Sequence, residues 1–240
     1  MGGDDLIQHI HKHFPNAEPA RLFFAKQNIL LEETYGFTPE NTRFAEGGCC
    51  DEINEPEYEL LERYWGERFK FGGLAGYCHG GRSGLGAVSH HVPEVEGLKN
   101  LLLVGGAHVG FHQGQWGELP RPGQTELTTS CGSLCAVLHA GYDAVRQKEE
   151  DPLDRQQHVV EQIMLPYLEQ HKDDSPPDVI GATFFLMKQI NDDLFTIVTD
   201  LAKDFNGQIA LITGVTINTE VGNYFNLSRF EVLQSERRQC

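Results

Sequence analysis

Residues 101–108, LLLVGGAH, decide the fold of this chain. Four consecutive aliphatic residues before two glycines are typical of a parallel strand buried on both faces, which we place at 100–104. Further strands are predicted at 42–45 and 208–218, and helical patterns lie between the strands. Strands that alternate with helices predict an α/β fold with a mostly parallel central sheet flanked by helices.

The other elements follow from hydrophobic periodicity and from the positions of glycine and proline. Helices are predicted at 4–14, 18–35, 131–147 and 153–171, from Pro56 onward, and as a pair over 179–205. Pro166 predicts a kink or break in its helix. Additional strands are expected at 69–77 and, on a sheet edge, 227–233, with loops at 78–87 and 111–129. We expect one domain over residues 1–240, in which a helical arm (1–40) precedes an α/β core (41–240).

The composition excludes several classes of function. A net charge of −16 and a pI near 5.0 argue against nucleic acid and anionic membranes as partners, because both require basic patches. The longest apolar stretch, 101–111, has about half the length of a membrane span, so no membrane insertion is expected. Six cysteines in 240 residues do not suggest a disulfide scaffold, and their grouping suits a reducing compartment. The acidic N-terminus, MGGDDLIQHI, resembles neither a signal peptide nor a transit peptide.

Cys49, His108 and Cys131 each stand where a strand-like, glycine-rich segment gives way to a turn or a helix. Ligands gather at the carboxyl ends of strands in α/β sheets, and Cys49 and His108 are expected there. Two thiolates and one imidazole form a ligand set that zinc prefers, and three protein ligands leave a fourth position for water. The sequence therefore predicts an enzyme that uses zinc to generate hydroxide.

Neighbouring thiols are alternative ligands. Cys135 lies one helical turn after Cys131, but the helix start stabilises a thiolate and favours Cys131. Successive residues in an extended segment point to opposite sides, so only one of Cys49 and Cys50 is expected to bind. Cys49 is preferred because Asp51 then points to the same side. A buried free cysteine is more often a packing residue than a ligand, so no single thiol decides the assignment.

Asp51 and Arg82 are the predicted catalytic residues. Asp51 follows Cys49 by two residues and is expected to contact whatever occupies the fourth metal position. Arg82, in GGRSGLG, is the candidate that would hold Asp51 ionised and oriented, although a solvated loop cation is the simpler interpretation of this residue. The same glycine-rich run lacks the Lys-Ser/Thr of a phosphate-binding loop and the spacing of a dinucleotide fingerprint.

Several long segments together resemble the limiting-CO2-inducible B protein family of algae. The resemblance covers most of the chain and is most specific between residues 44 and 141. The segments are FAEGGCCDEINE, GYCHGGRSGLGAVSHH, LLLVGGAHVGFHQGQWGELPRPGQTELTTSCGSLCAVLHAG, FFLMKQINDD and ITGVTINTE. The family resembles β-carbonic anhydrases in fold and zinc site, so the resemblance implies a zinc-dependent hydration of CO2 to bicarbonate.

The β-class pattern is Cys-x-Asp-x-Arg followed far downstream by His-x-x-Cys. Cys49 and Asp51 match its first half, but position 53 is isoleucine, and the thiol after His108 is Cys131 rather than a residue three positions on. The resemblance therefore carries over four site residues, which are Cys49, Asp51, His108 and Cys131. The arginine that holds the aspartate must come from elsewhere in the sequence. It also implies a plastid setting and a homodimer.

Two other functions remain open at this point. The missing arginine at position 53 is compatible with a weakly active zinc protein that binds CO2 or bicarbonate, or that forms part of a larger assembly. A Cys-His hydrolase would use Cys131 as nucleophile and His108 as base, and would leave Cys49 without a role. A dimer would cover the apolar residues of the second helix, such as Leu22 and Ile29; the alternative is that the arm packs on its own chain.

Overall fold

The computed structural model describes residues 3–121, 123–173 and 177–234. Its helices are α1 (Gly3–His13), α2 (Ala20–Tyr35), α3 (Glu55–Trp65), α4 (Gly81–Ser89), α5 (Gly132–Gln147), α6 (Arg155–Gln170) and α7 (Val179–Ala202). Its strands are β1 (Glu18–Pro19), β2 (Thr42–Gly48), β3 (Phe69–Lys70), β4 (Asn100–Gly106), β5 (His108–His112), β6 (Gln115–Trp116), β7 (Glu118–Pro120), β8 (Leu127–Thr129), β9 (Gln208–Asn218) and β10 (Tyr224–Gln234).

The central sheet is mixed, with a parallel centre. Its order is β1-β10-β9-β4-β2-β3, and β9, β4, β2 and β3 are parallel. β10 and β1 close one edge in antiparallel orientation. β5 continues along β9 in the same register as β4, after a short interruption at Gly106 and Ala107. The predicted α/β class, with helices flanking the sheet, is confirmed.

The aliphatic strands are buried because helices cover both faces of the sheet. Side chains alternate along a strand, so Leu101 and Leu103 lie in one core cluster and Leu102 and Val104 lie in the other. The first cluster includes residues of α1, α5, α6 and α7, and the second includes residues of α2 and α3. An uninterrupted apolar run therefore indicated a doubly covered strand, as expected.

The N-terminal helices pack against the sheet of their own chain. Ile10 of α1, Phe14 directly after this helix and Phe23 of α2 are buried in the two clusters. Leu22 and Ile29 point away from the sheet and are about half exposed, at 51% and 53%. In the described part of the chain, no helix is both long and apolar enough to cross a membrane.

Segment 78–87 is a helix for most of its length, so the predicted loop is wrong. α4 begins at Gly81 and contains three glycines, which lower its intrinsic helix propensity. Leu85 and Val88 are nevertheless buried in the core, and this packing outweighs the propensity. The predicted strand at 69–77 is also mostly wrong, because β3 ends at Lys70 and a 3-10 turn covers 74–76.

Glycines allow the chain to turn over residues 72–76. A Cβ on Gly72 would lie 2.1 Å from the Gly48 carbonyl oxygen, and one on Gly76 would lie 2.0 Å from that of Gly106. The 72–76 segment therefore crosses directly over the carboxyl ends of β2 and β4. Only glycine permits so close an approach between backbones.

Three other boundaries differ from expectation. α6 runs through Pro166 without a break. Segment 179–202 is one helix rather than two, and the Asp178 carboxylate caps its start by accepting hydrogen bonds from Ile180 N and Gly181 N. Segment 111–129 contains β6, β7 and β8 rather than a loop, and β7 and β8 form an antiparallel hairpin that leads into Cys131.

Candidate metal centre

The three predicted metal ligands meet at the carboxyl end of the parallel strands. Cys49 directly follows β2, and His108 begins β5, just after β4. β2 pairs with β4 so that Gly48 lies opposite Gly106, which brings the residues after the two strands together. Cys131 precedes α5, and the backbone N–H of Gly110 donates to the Ser130 carbonyl at 2.9 Å, which ties this segment to β5.

The ligand atoms of these residues form a compact, buried group. The Cys49 and Cys131 Sγ atoms are 3.8 Å apart, and the two sulfurs and an imidazole nitrogen of His108 all lie within 4.8 Å of one another. All three residues are at most 5% exposed. In the described part of the chain, this is the one cluster of histidine, cysteine and acidic residues with such spacing.

His108 presents one nitrogen to the cluster and uses the other as an anchor. Its Nδ1 lies 2.8 Å from Asn218 Oδ1, whereas Nε2 is buried and has no hydrogen-bond partner among the described residues. Burial lowers the pKa of His108, but its interaction with Cys49 and the charge of Asp51 outweigh burial and raise the pKa. The environment of Nε2 therefore favours a cation, and a metal ion fits this donor set.

Asp51 lies beside the cluster and is clamped by Arg121. The guanidinium donates from Nη1 to Oδ1 at 2.7 Å and from Nη2 to Oδ2 at 2.9 Å, and both side chains are nearly buried. Asp51 Oδ2 is 3.8 Å from His108 Nε2. Burial raises the pKa of Asp51, but the hydrogen bonds from Arg121 and the nearby His108 outweigh it and hold the pKa below its ordinary value.

Arg121 is itself held in place from three sides. It directly follows β7, and its Nε donates to Thr128 Oγ1 at 2.8 Å while Nη2 donates to the Thr129 carbonyl at 3.2 Å. Nη1 also contacts the carboxylate of Glu52, an exposed residue. The β7–β8 hairpin thus fixes the guanidinium before Asp51 meets it, which makes the pair rigid.

The expectation that Arg82 holds Asp51 is wrong. Arg82 lies in the first turn of α4, is 67% exposed, and donates from Nε and Nη2 to Asp200 of α7 at 3.1 and 2.9 Å. The helix that replaces the predicted loop turns this side chain away from the cluster. Arg121 was missed because its segment was interpreted as a loop. A lone arginine in the Gly- and Pro-rich stretch between His108 and Cys131 was the sequence feature that pointed to it.

The alternative thiols do not join the cluster. Cys50 is exposed, whereas Cys135 is buried and donates to the Gly117 carbonyl at 3.7 Å. Burial raises the pKa of the Cys135 thiol to about 11, so this group stays protonated and packs as an apolar side chain. Neither residue belongs to the group of close donor atoms found among the described residues.

The fold and this site define the chain as an α/β protein with a buried group of two cysteines and one histidine at the carboxyl end of its parallel strands. A sequence profile of the limiting CO2-inducible proteins B/C beta carbonic anhydrases matches residues 20–234. The chain belongs to this family, and the resemblance inferred from its sequence is confirmed. No protein with a curated description matches it.

Solved structures agree with this assignment. The chain is similar to PtLCIB4, a homolog of the limiting CO2-inducible protein LCIB, with a TM-score of 0.84, 30% identity and 94% of each chain covered. A variant of PtLCIB4 in which arginine replaces a serine matches with a TM-score of 0.76, 30% identity and 93% of each chain covered. LCIB itself matches with a TM-score of 0.72 and 24% identity over 93% of this chain and 92% of the other, which shows the fold alone.

Proposed function

We propose that this protein is a zinc-dependent carbonic anhydrase that interconverts CO2 and bicarbonate. The observation that carries the proposal is the clamped carboxylate of Asp51, 3.8 Å from the unpartnered Nε2 of His108. A structural zinc site with four protein ligands needs no such carboxylate. A three-ligand site with an acidic neighbour and an open position is typical of catalysis.

Cys49, His108 and Cys131 would hold the zinc. A zinc ion held here would lower the pKa of a coordinated water towards about 7 and so supply a nucleophile, although two thiolates offset its charge and should leave the water less acidic than at a site of three histidines. Asp51 is ionised, because Arg121 keeps its pKa low, and its oxygens therefore act only as hydrogen-bond acceptors. We infer that Asp51 accepts a hydrogen bond from the nucleophile's O–H and thereby directs the nucleophile's lone pair towards CO2. Arg121 acts as a positioning residue that prevents Asp51 from rotating or taking up a proton.

We propose that the substrate approaches from a neighbouring cleft. A cavity of about 940 Å³ is lined by Arg121 and Glu52 and by apolar residues that include Ile53 and Leu119. Arg121 thus lies between this cleft and the buried cluster. CO2 is small and apolar, so we expect it to enter along the apolar side chains of this cleft.

The deciding experiment measures zinc content and CO2 hydration on the same sample. We expect one zinc per chain and rapid hydration by stopped flow for the wild type. Cys49→Ala should lose zinc and activity together, while Asp51→Ala should keep zinc and lose activity by about 100-fold or more, the scale of a general acid–base contribution. A wild-type rate equal to that of Cys49→Ala, or a protein without zinc, would contradict the proposal.

The weakly active zinc protein and the Cys-His hydrolase are less well supported, and each predicts a distinct experimental result. The weakly active protein was favoured by the missing arginine at position 53, and Arg121 offers Asp51 the same bidentate contact. Zinc without hydration activity would restore that alternative. A Cys-His hydrolase would survive substitution of Cys49, since only Cys131 and His108 would take part.

We also propose, from family membership alone, that the protein is a homodimer in a plastid, where it contributes to concentrating CO2. The five described cysteines are free thiols, which is consistent with a reducing compartment. Fluorescence of a tagged full-length protein in an algal cell would test the location, and a signal outside the plastid would contradict it.

A further inference from the structure

A chain of hydrogen bonds connects His108 to the backbone next to Asp51. His108 Nδ1 is 2.8 Å from Asn218 Oδ1, Asn218 Nδ2 is 3.1 Å from Asn54 Oδ1, and Asn54 Nδ2 is 3.3 Å from the Asp51 carbonyl oxygen. Asn54 and Asn218 are 4% and 0% exposed, so water does not compete for these groups. The chain joins β5, the end of β9 and the turn that follows Cys49.

The Asp51 carbonyl oxygen, at the end of this series of hydrogen bonds, determines which group donates and which accepts in each of them. A backbone carbonyl can only accept, so Asn54 must turn its NH2 group towards Asp51 and its Oδ1 towards Asn218. Asn218 must then turn its NH2 group towards Asn54 and its Oδ1 towards His108. This oxygen also lies 3.4 Å from Ser130 Oγ, but its contact with His108 Nδ1 is much shorter, at 2.8 Å. Two acceptors would repel at that distance, and therefore Nδ1 of His108 carries the hydrogen.

We propose that Asn54 and Asn218 are positioning residues that fix His108 as the Nδ1–H tautomer and so keep the Nε2 lone pair aimed at the metal. This inference rests on the proposed zinc site. Reversing either amide would place two acceptors or two donors face to face in a water-free interior, which costs about 1–3 kcal/mol per unsatisfied group. The unpartnered state of Nε2 is the independent observation that agrees with this tautomer.

The same hydrogen bonds connect Asp51 with His108. The Asp51 carbonyl accepts from both the backbone N–H of Asn54, at 3.1 Å, and its side chain. The turn that aims the Asp51 carboxylate is thus bonded, through two amides, to the imidazole that binds metal. Ser130, which precedes Cys131, also reaches this junction, because its Oγ lies 3.4 Å from Asn218 Oδ1. Asn218 therefore contacts or adjoins all three segments that carry ligands.

Zinc affinity, measured by competition with a chromophoric chelator, tests the proposal without reference to activity. Asn218→Ala should weaken zinc binding by about 10- to 100-fold, because the imidazole loses its orienting partner. Asn218→Asp keeps an acceptor for the Nδ1 hydrogen but turns its second oxygen towards Asn54 Oδ1, so it should lose less affinity than the alanine variant. Wild-type affinity in Asn218→Ala, or equal losses in the alanine and aspartate variants, would overturn the assigned role.

Asn41→Ala is the matched control. Asn41 is also a buried asparagine whose Oδ1 accepts from another amide, that of Asn100 at 2.8 Å, but this pair lies at the amino ends of β2 and β4. Its loss should affect stability and leave zinc affinity unchanged. A comparable loss of zinc affinity in Asn41→Ala would show that the effect of Asn218 is general destabilisation, and would contradict the proposal.

The tautomer is observed directly in zinc-loaded protein labelled with 15N-histidine. Long-range 1H–15N spectra should show a protonated Nδ1 and a metal-bound Nε2 for His108 in the wild type. Asn54→Ala removes the acceptor of the Asn218 NH2 group. The Asn218 amide is then free to reverse, so a second His108 species should appear beside the first. A metal-bound Nδ1 in the wild type would overturn the inference. Zinc-loaded protein with the expected spectrum but no hydration activity would instead contradict only the proposed function.

Discussion

At the scale of single residues, Arg121 shows that the arginine that contacts Asp51 can come from a distant position in the sequence. The acid at position 51 needs a rigid, bidentate cation, and isoleucine occupies position 53, where the β-class pattern has arginine. The structure provides the cation from a hairpin that begins 67 residues after Asp51, at Glu118. The side chain that was expected to do so, Arg82, lies on the surface against Asp200.

Substituting Arg121 should lower the hydration rate through Asp51. Arg121→Ala leaves a buried carboxylate without its partner, and we expect about a 10- to 100-fold loss of activity, the usual effect of a group that orients a residue at a metal site. Arg121→Lys keeps the charge but loses the paired hydrogen bonds, so it should recover only part of the activity. Stopped-flow assays on zinc-matched samples measure both effects.

Arg82→Ala serves as the control for this comparison. It removes an arginine that also binds an aspartate through two nitrogens, but on the exposed face of α4 and α7. Its activity should equal that of the wild type. If Arg82→Ala lost as much activity as Arg121→Ala, the assignment of the clamp to Arg121 would be wrong.

Much of the site was predictable because it depends on strand ends. Buried parallel strands can be recognised by their apolar runs, and the residues after them converge whatever lies between. Cys49 and His108 were located in this way, and Asp51 followed from Cys49. Arg121 was not predictable by this route, since its position depends on a hairpin whose strands are each three residues long. Such short strands have no clear periodicity.

At the scale of elements, prediction failed where tertiary packing outweighed local propensity. α4 forms although its sequence is rich in glycine, because two of its aliphatic residues are buried. Glycines at 72 and 76 have a different role, since they allow backbones to touch over the strand ends. A sequence alone does not distinguish these two uses of glycine. The long strands β4 and β9, by contrast, were predicted at nearly their observed limits.

Glu57 of α3 makes the stability of this element depend on pH. Burial raises the pKa of Glu57 above its ordinary value of 4.5, although hydrogen bonding from Asn223 opposes the shift. The unfolded chain therefore loses this proton at lower pH than the folded protein does. The stabilising contribution is present below the unfolded pKa and is lost as pH rises through the raised folded pKa.

Glu57→Gln should remove this dependence, because the amide is isosteric and can still accept from Asn223. Urea unfolding at a series of acidic to neutral pH values should show the glutamine variant gaining stability relative to wild type as pH rises. Glu59→Gln, at an exposed position of the same helix, should run parallel to wild type. A glutamine variant at position 57 that loses relative stability with rising pH would contradict the sign of the shift.

At the scale of the whole molecule, the N-terminal helices contribute to the core and also carry exposed apolar side chains. The apolar residues of α2 were expected to need a partner chain. Phe23 instead packs beside Phe225 of the same chain, at 4.7 Å between ring centroids, whereas Leu22 and Ile29 remain exposed two turns apart. Residues seven apart share one face of a helix, so these two define a single exposed patch.

We predict that this patch contributes to a homodimer. Light scattering of the wild type should give twice the mass of the 26.9 kDa chain, and the double variant Leu22→Glu/Ile29→Glu should give the mass of one chain. Both side chains are exposed, so the substitutions should change the stability of the chain by about 0.5 kcal/mol or less each. Leu153→Glu, at a residue that is 95% exposed, is the control and should not alter the mass. A wild type with the mass of one chain would end the dimer proposal.

The position of β5 has a consequence for how the protein is made. His108 emerges from the ribosome well before residues 216–218 of β9, with which β5 pairs, and before Asn218, the acceptor for its imidazole. A nascent chain that stops short of β9 contains both thiols and the histidine, but it lacks the strand that pairs with β5 and the amide that holds the imidazole. If the site binds the proposed zinc, we expect the ion to enter after translation, when the complete sheet has assembled and its geometry can select the metal.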